Sequence, residues 1–176
     1  MPSSQTVWRK PMPWLLGFLG LAVLGVGIAT ILFASWTEYR DATSGEAAGD
    51  FAKALAAASA AGPQAGIPYV SVDSIGTVHV DRSLESDPPT ELRTLHLLAW
   101  DPQEDRLVQV AFPFWFVRVK MNDAINLGTM TTALSGDWDH LDLKVSVGEL
   151  RRRGAGVVLD HTRQDGMRLL LWSEAK

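Results

Sequence analysis

Hydrophobic and polar positions change period three times along this chain, and each change marks an element. From Pro13 to Trp36 (PWLLGFLGLAVLGVGIATILFASW) no charged residue interrupts the run. An α-helix rises about 1.5 Å per residue, so Trp14 to Trp36 reaches about 34 Å, enough to cross a hydrocarbon core of about 30 Å with some tilt. The run exceeds the apolar region of a signal peptide. No small-x-small cleavage site follows it, since Leu32 and Phe33 are too large for the position required. The pattern predicts an uncleaved transmembrane helix.

The next stretch, 38–66, is alanine-rich. Asp50 is placed to cap a helix from Phe51 to Ala61, or Thr43 or Ser44 to start it earlier, with Gly62-Pro63 ending it. Its bulky residues are few, which predicts a helical neck between membrane and body. From Ile67 the period becomes two. Ile67–Asp73 and Thr77–Asp81 alternate around the turn 73–76, and 82–91 is a loop held extended by Pro88-Pro89. Thr94–Trp100 and Leu107–Phe112 predict a hairpin across the turn 101–105. The run FPFWFVRVK, 112–120, predicts a break at Pro113 followed by a strand with Phe116, Arg118 and Lys120 on one face. Residues 122–137 carry no assignable period.

The last third is well punctuated. Leu141–Val145 alternates as a strand. Ser146 with Glu149 three residues on is a capping box, opening a short helix that Gly154 closes. Gly156–Thr162 and Met167–Ser173 predict a second hairpin around an Asp165-Gly166 turn. The expected architecture is a single transmembrane α-helix followed by a small α+β, mainly antiparallel β, extramembrane domain. Its parts are a cytoplasmic tail (1–12), the transmembrane helix (13–37), the neck (38–66) and an extracytoplasmic β-rich domain (67–176).

Charge adds orientation. Arg9 and Lys10 precede the span with no acid beside them, whereas Arg40 beyond it is flanked by Glu38 and Asp41. The positive-inside rule therefore puts the N-terminus in the cytoplasm and the body outside, in the periplasm if the cell is bacterial. Trp8, Trp14, Trp36 and Tyr39 have the amphipathic rings expected at headgroup depth. Along the span, Gly17, Gly20, Leu24 and Gly27 form one stripe, with Gly25 and Ala29 beside it, a face on which another membrane helix packs closely. The net charge of −4 argues against nucleic-acid binding. With no cysteine, thiolate metal sites and cysteine nucleophiles are excluded.

Candidate chemistry is sparse. His79 and His96 lie in alternating strands, where histidine is usually a surface or satisfied residue. The cluster 137–142 (DWDHLD) holds acids around His140 but lacks the spacing of a calcium loop, and reads as a solvated turn. Asp160 and His161 are adjacent in a strand and point to opposite faces, so they do not form a dyad. No nucleophile elbow or phosphate loop is present. No cofactor and no metal are expected. The most specific surface signal is aromatic and basic: Phe114, Trp115 and Phe116 rimmed by Arg118 and Lys120, together with the run Arg151, Arg152 and Arg153. These residues suit a protein partner or the membrane surface. The sequence thus predicts a non-catalytic accessory or assembly subunit of a larger membrane complex, with the lipid bilayer and other integral membrane subunits as partners. A membrane-tethered ligand-binding or sensing domain is the alternative, and a hydrolase using His140 is a weaker third.

Overall fold

The computed structural model describes residues 34–73, 75–120 and 143–176. The chain divides into two compact units, Met1–Trp36 and Thr37–Lys176. The expected span up to residue 33, its Gly17–Ala29 face and the anchors Trp8 and Trp14 lie outside the described residues, as does the cluster around His140, while Thr37, the last residue expected in the span, opens a strand. Among the described residues no helix is long and apolar enough to cross a membrane.

The second unit is an α+β domain built on one seven-stranded sheet. Its strands are β1 (Thr37–Asp41), β2 (Val70–Val72), β3 (Val78–Val80), β4 (Leu92–Asp101), β5 (Arg106–Pro113), β6 (Gly156–Thr162) and β7 (Arg168–Ala175), in the spatial order β1-β5-β4-β7-β6-β2-β3. All neighbours are antiparallel except β2 and β6, which run parallel, so the sheet is mixed but mostly antiparallel. Among the described residues three α-helices accompany it: α1 (Ser44–Ser59), α2 (Phe114–Lys120) and α3 (Val147–Arg153).

Both expected hairpins form. In the first, Trp100 faces Leu107 and Asp101 faces Arg106. The Asp101 carboxylate accepts from the Gln103 N–H at 2.8 Å and Asp105 takes a positive φ of 48°, which together close the turn. In the second, Gly166 supplies a φ of 86°. Strands β4 and β7 are central, so Leu97 and Leu98, and Leu169, Leu170 and Leu171, are buried on both faces instead of alternating.

Three expectations are corrected. Residues 38–66 are not a neck standing apart from the body. Thr37–Asp41 pairs with β5, and α1 lays Ala47, Phe51 and Ala58 against Leu98, Val157, Leu170 and Trp172 of the sheet. Small alanine side chains bring the helix close to the strands, so its burial comes from proximity more than bulk. Thr43, the earlier of the expected starts, is the N-cap, in a capping box with Glu46. Second, 114–120 is a helix, not a strand. Pro113 ends the β5 ladder, and beyond it Phe114 and Val117 turn inward three residues apart while Trp115 and Val119 face out. Third, 143–146 has no strand structure: Leu143 and Val145 are fully buried, and Lys144 between them takes a φ of 50° that bends the chain.

Candidate functional site

An open concavity of about 680 Å³ lies where β4 begins and β5 and β7 end. Its apolar wall is Ala111, Pro113, Phe114 and Trp115, and its polar residues include Arg93, His96, Arg118, Arg151, Glu174 and Lys176. Sheet register assembles it. Thr94 faces Pro113 on one side and Glu174 on the other, and Leu92 faces Ala175, so Arg93 and the chain's last residues meet the start of α2.

Helix α2 supplies the aromatic rim. Phe114 is buried beneath it, while Trp115 is 55% exposed at its lip. Phe116 stacks on Phe112 with ring centroids 6.2 Å apart and meets Trp115 edge-on at 5.9 Å. Trp115 is thereby held by a ring with its own support, leaving its outer face to solvent. Arg118 follows one turn on and is exposed.

Helix α3 supplies one cation. Ser146 Oγ accepts from the Glu149 N–H at 3.2 Å and Glu149 Oε2 accepts from the Ser146 N–H at 2.8 Å, the capping box the sequence predicts. Burial pushes the Glu149 carboxyl up, but hydrogen bonds from Ser146 and the Arg82 guanidinium at 2.8 Å outweigh it and hold it below its ordinary value. The arginine triplet then divides three ways. Arg151 lines the concavity. Arg152 pairs with Glu85, whose other oxygen accepts from the Tyr69 hydroxyl at 2.6 Å. That pairing with Arg152, then Tyr69, lowers the Glu85 carboxyl, while burial and then Glu85 raise the Tyr69 phenol above its usual range. Arg153 is buried, and its Nη2 donates to the carbonyls of Gln64 and Ile67 at 2.9 and 3.0 Å. Desolvation lowers its pKa.

The expected surface therefore needs correction residue by residue. Trp115, Arg118 and Arg151 come together at one concavity; Phe114 is buried at its base, Arg152 is ion-paired beside Tyr69, and Arg153 belongs to the interior. Lys120 closes α2. Tyr39, expected at headgroup depth, lies within β1 with its side chain exposed, and Trp36 immediately precedes that strand.

Arg93 and Lys176 are the cations that sequence reasoning missed. Arg93 stands at a polar position of the β4 run, and nothing local ties it to 115 or 151. Among the described residues, Arg93, Arg118 and Arg151 make no ion pair, whereas Lys176 holds Glu91 at 3.1 Å and Glu174 bonds His96 at 3.1 Å. The lining has an excess of positive charge that its own acids do not neutralise. His96 is fixed further by stacking on Trp172, 4.8 Å between centroids and 9° between planes.

The remaining candidates lie elsewhere. His79 bonds Asp73 at 3.2 Å on the edge strand β3. Asp160 receives both Nε and Nη2 of Arg168, whose guanidinium lies 4.5 Å over the Phe51 ring. His161 is half-buried, and desolvation together with Arg163 lowers its pKa. Among the described residues no three His, Asp or Glu side chains stand together as a metal site. Comparison with protein-family models, with curated proteins and with solved structures returns no match.

Proposed function

We propose that this chain is a non-catalytic, single-pass membrane protein, an accessory subunit whose Thr37–Lys176 domain docks on another membrane protein while its glycine-bearing helix packs in the bilayer. The observation that carries this reading is the concavity at the end of the sheet: Trp115 exposed at its lip, and Arg93, Arg118 and Arg151 around it without ion pairs among the described residues. An aromatic anchor ringed by arginine has the composition of an interface hot spot. The test is co-purification from native membranes in mild detergent. Wild type retains its partner subunits, and Trp115→Ala with Arg118→Glu loses them while keeping its melting temperature. Gly20→Leu with Gly27→Leu weakens the same association from within the lipid. A double variant at 115 and 118 that retains every partner removes this reading.

A second reading, a membrane-tethered domain binding a small anionic ligand, is supported by the size of the concavity, within the range of roughly 300–1,000 Å³ seen for small-molecule sites. It predicts that Arg93→Glu abolishes a ligand-induced rise in melting temperature, measured by screening anionic metabolites, and leaves co-purification intact.

A further inference from the structure

We propose that β1 is the edge through which two copies of this chain join, antiparallel about a two-fold axis at Tyr39, making one continuous sheet. Among the described residues β1 is the outermost strand, paired on one side to β5, and Glu38, Tyr39, Arg40 and Asp41 are all exposed. It contains no proline and no glycine. The opposite edge, β3, is three residues long. An exposed edge offers unpaired N–H and C=O groups to another strand, and the charges of Glu38, Arg40 and Asp41 discourage any strand that does not match them.

The phase of the ladder shows which groups face outward. The Ala42 N–H donates to the Asp105 carbonyl at 2.8 Å, one step beyond the pairing of Asp41 with Arg106. Hydrogen-bonded and non-hydrogen-bonded positions alternate along an antiparallel pair. Arg40 and Glu38 therefore direct their backbone groups toward β5, and Tyr39 directs its N–H and C=O to the open edge.

A strand docking there antiparallel with Tyr39 opposite Tyr39 exchanges both bonds of that residue. The same register sets Glu38 opposite Arg40 of the second copy and, by symmetry, Arg40 opposite its Glu38. Opposite charges directly across a ladder are favourable, and an isologous interface repeats each pair twice. Sliding the register to centre on Asp41 would instead put two carboxylates face to face. Arg40 already holds Asp50, and its forked guanidinium has donors left for a second carboxylate. The two Glu38–Arg40 pairs that a two-fold at Tyr39 generates favour another copy of this chain over an unrelated strand.

The test uses the full chain in mild detergent, with mass measured by light scattering during size exclusion. Wild type is dimeric at micromolar concentration. Glu38→Lys sets lysine against Arg40, and Arg40→Glu sets glutamate against Glu38, so each variant alone weakens the dimer by about tenfold or more. Mixing the two restores it, because every cross-strand pair is then opposite in sign. The chain has no cysteine, so Tyr39→Cys gives a single reporter at the axis. Cα atoms of a hydrogen-bonded pair lie about 5.5 Å apart, within reach of a disulfide. Mild oxidation should yield a covalent dimer with Tyr39→Cys and none with Lys53→Cys on the exposed side of α1. A monomeric wild type, a dimer that survives both charge reversals, a mixture that stays monomeric, or equal crosslinking at positions 39 and 53 overturns the proposal.

Discussion

Gly156 stands where a Cβ would lie 2.6 Å from the carbonyl oxygen of Ala65 and 2.8 Å from its Cα. That oxygen accepts the Val157 N–H at 2.7 Å, so the turn after α1 is fastened to the first residues of β6 through a contact only glycine permits. The φ of Gly156, 140°, is also one that L side chains rarely adopt. Gly156→Ala therefore meets both backbone strain and a backbone clash, and is expected to cost about 3 kcal/mol or more of unfolding free energy. Gly49 is the internal control. It lies within α1 with nothing within 4 Å of its virtual Cβ, and Gly49→Ala should stabilise by about 0.5–1 kcal/mol through helix propensity. Chemical denaturation of the two variants should shift the midpoint in opposite directions.

The polar cluster joining α3 to the 3₁₀ turn Arg82–Leu84 sets stability at both ends of the pH scale. Glu85 and Glu149 are held below their ordinary carboxyl values, so the unfolded chain binds their protons first. Their contribution is present above the unfolded value of about 4.3 and is lost as pH falls through the folded values. Tyr69 is raised, so its contribution is present below about 10 and is lost as pH climbs above that. Melting temperature against pH should fall at both extremes. Glu85→Gln should shrink the acid limb, and Tyr69→Phe should flatten the alkaline one and also shrink the acid limb in part, because the lost hydroxyl is the second group that lowers Glu85.

How much of this could be read from residues alone depended on how local the determining signal is. The hairpin of β4 and β5 and that of β6 and β7 need only alternating positions and the turn chemistry of Asp101 and Gly166, all within 25 residues. The capping box at Ser146 needs three. The parallel pairing of Val70 with Leu159 depends on residues far apart in sequence, and no period reports it. Alanine gives little burial signal, so Ala47 and Ala58 looked like spacer although they are core. In FPFWFV apolar side chains occupy every position, so the periods 2 and 3.6 predict the same residues and the pattern does not separate a strand from the helix that forms. The concavity needed both kinds of information. Trp115, Arg118 and Arg151 stand out by type, but only the register of Leu92 with Ala175 adds Arg93.

The arginine triplet separates docking from folding. Arg153→Ala removes the donor that satisfies the carbonyls of Gln64 and Ile67 and opens space in the interior, with an expected cost of about 3 kcal/mol. Arg151→Ala removes a half-buried cation that lines the open concavity and has no ion pair among the described residues, and stability should change by no more than about 0.5 kcal/mol. Partner co-purification should show the reverse, falling with the change at 151. If Arg153 were a surface contact like its neighbour, both substitutions would be thermodynamically silent, and thermal denaturation of the pair decides this.

The helix after Pro113 makes a prediction that a strand there does not share. In a strand, Val117 and Val119 stand on the same face and respond alike to truncation. In α2 they are two residues apart on a 3.6-residue period, and Val117 is fully buried whereas Val119 is 67% exposed. Val117→Ala should therefore cost about 2 kcal/mol, and Val119→Ala should stay within about 0.5 kcal/mol of wild type. The asymmetry matters for the proposed docking site, because the turn that buries Val117 is the one that lifts Trp115 to the lip of the concavity and sets Arg118 beside it. Equal losses at 117 and 119 would mean that the chain continues as a strand, and Trp115 would then share a face with the buried Val117. A large loss at 117 alone would fix Trp115 on the outer side, where a partner can reach it.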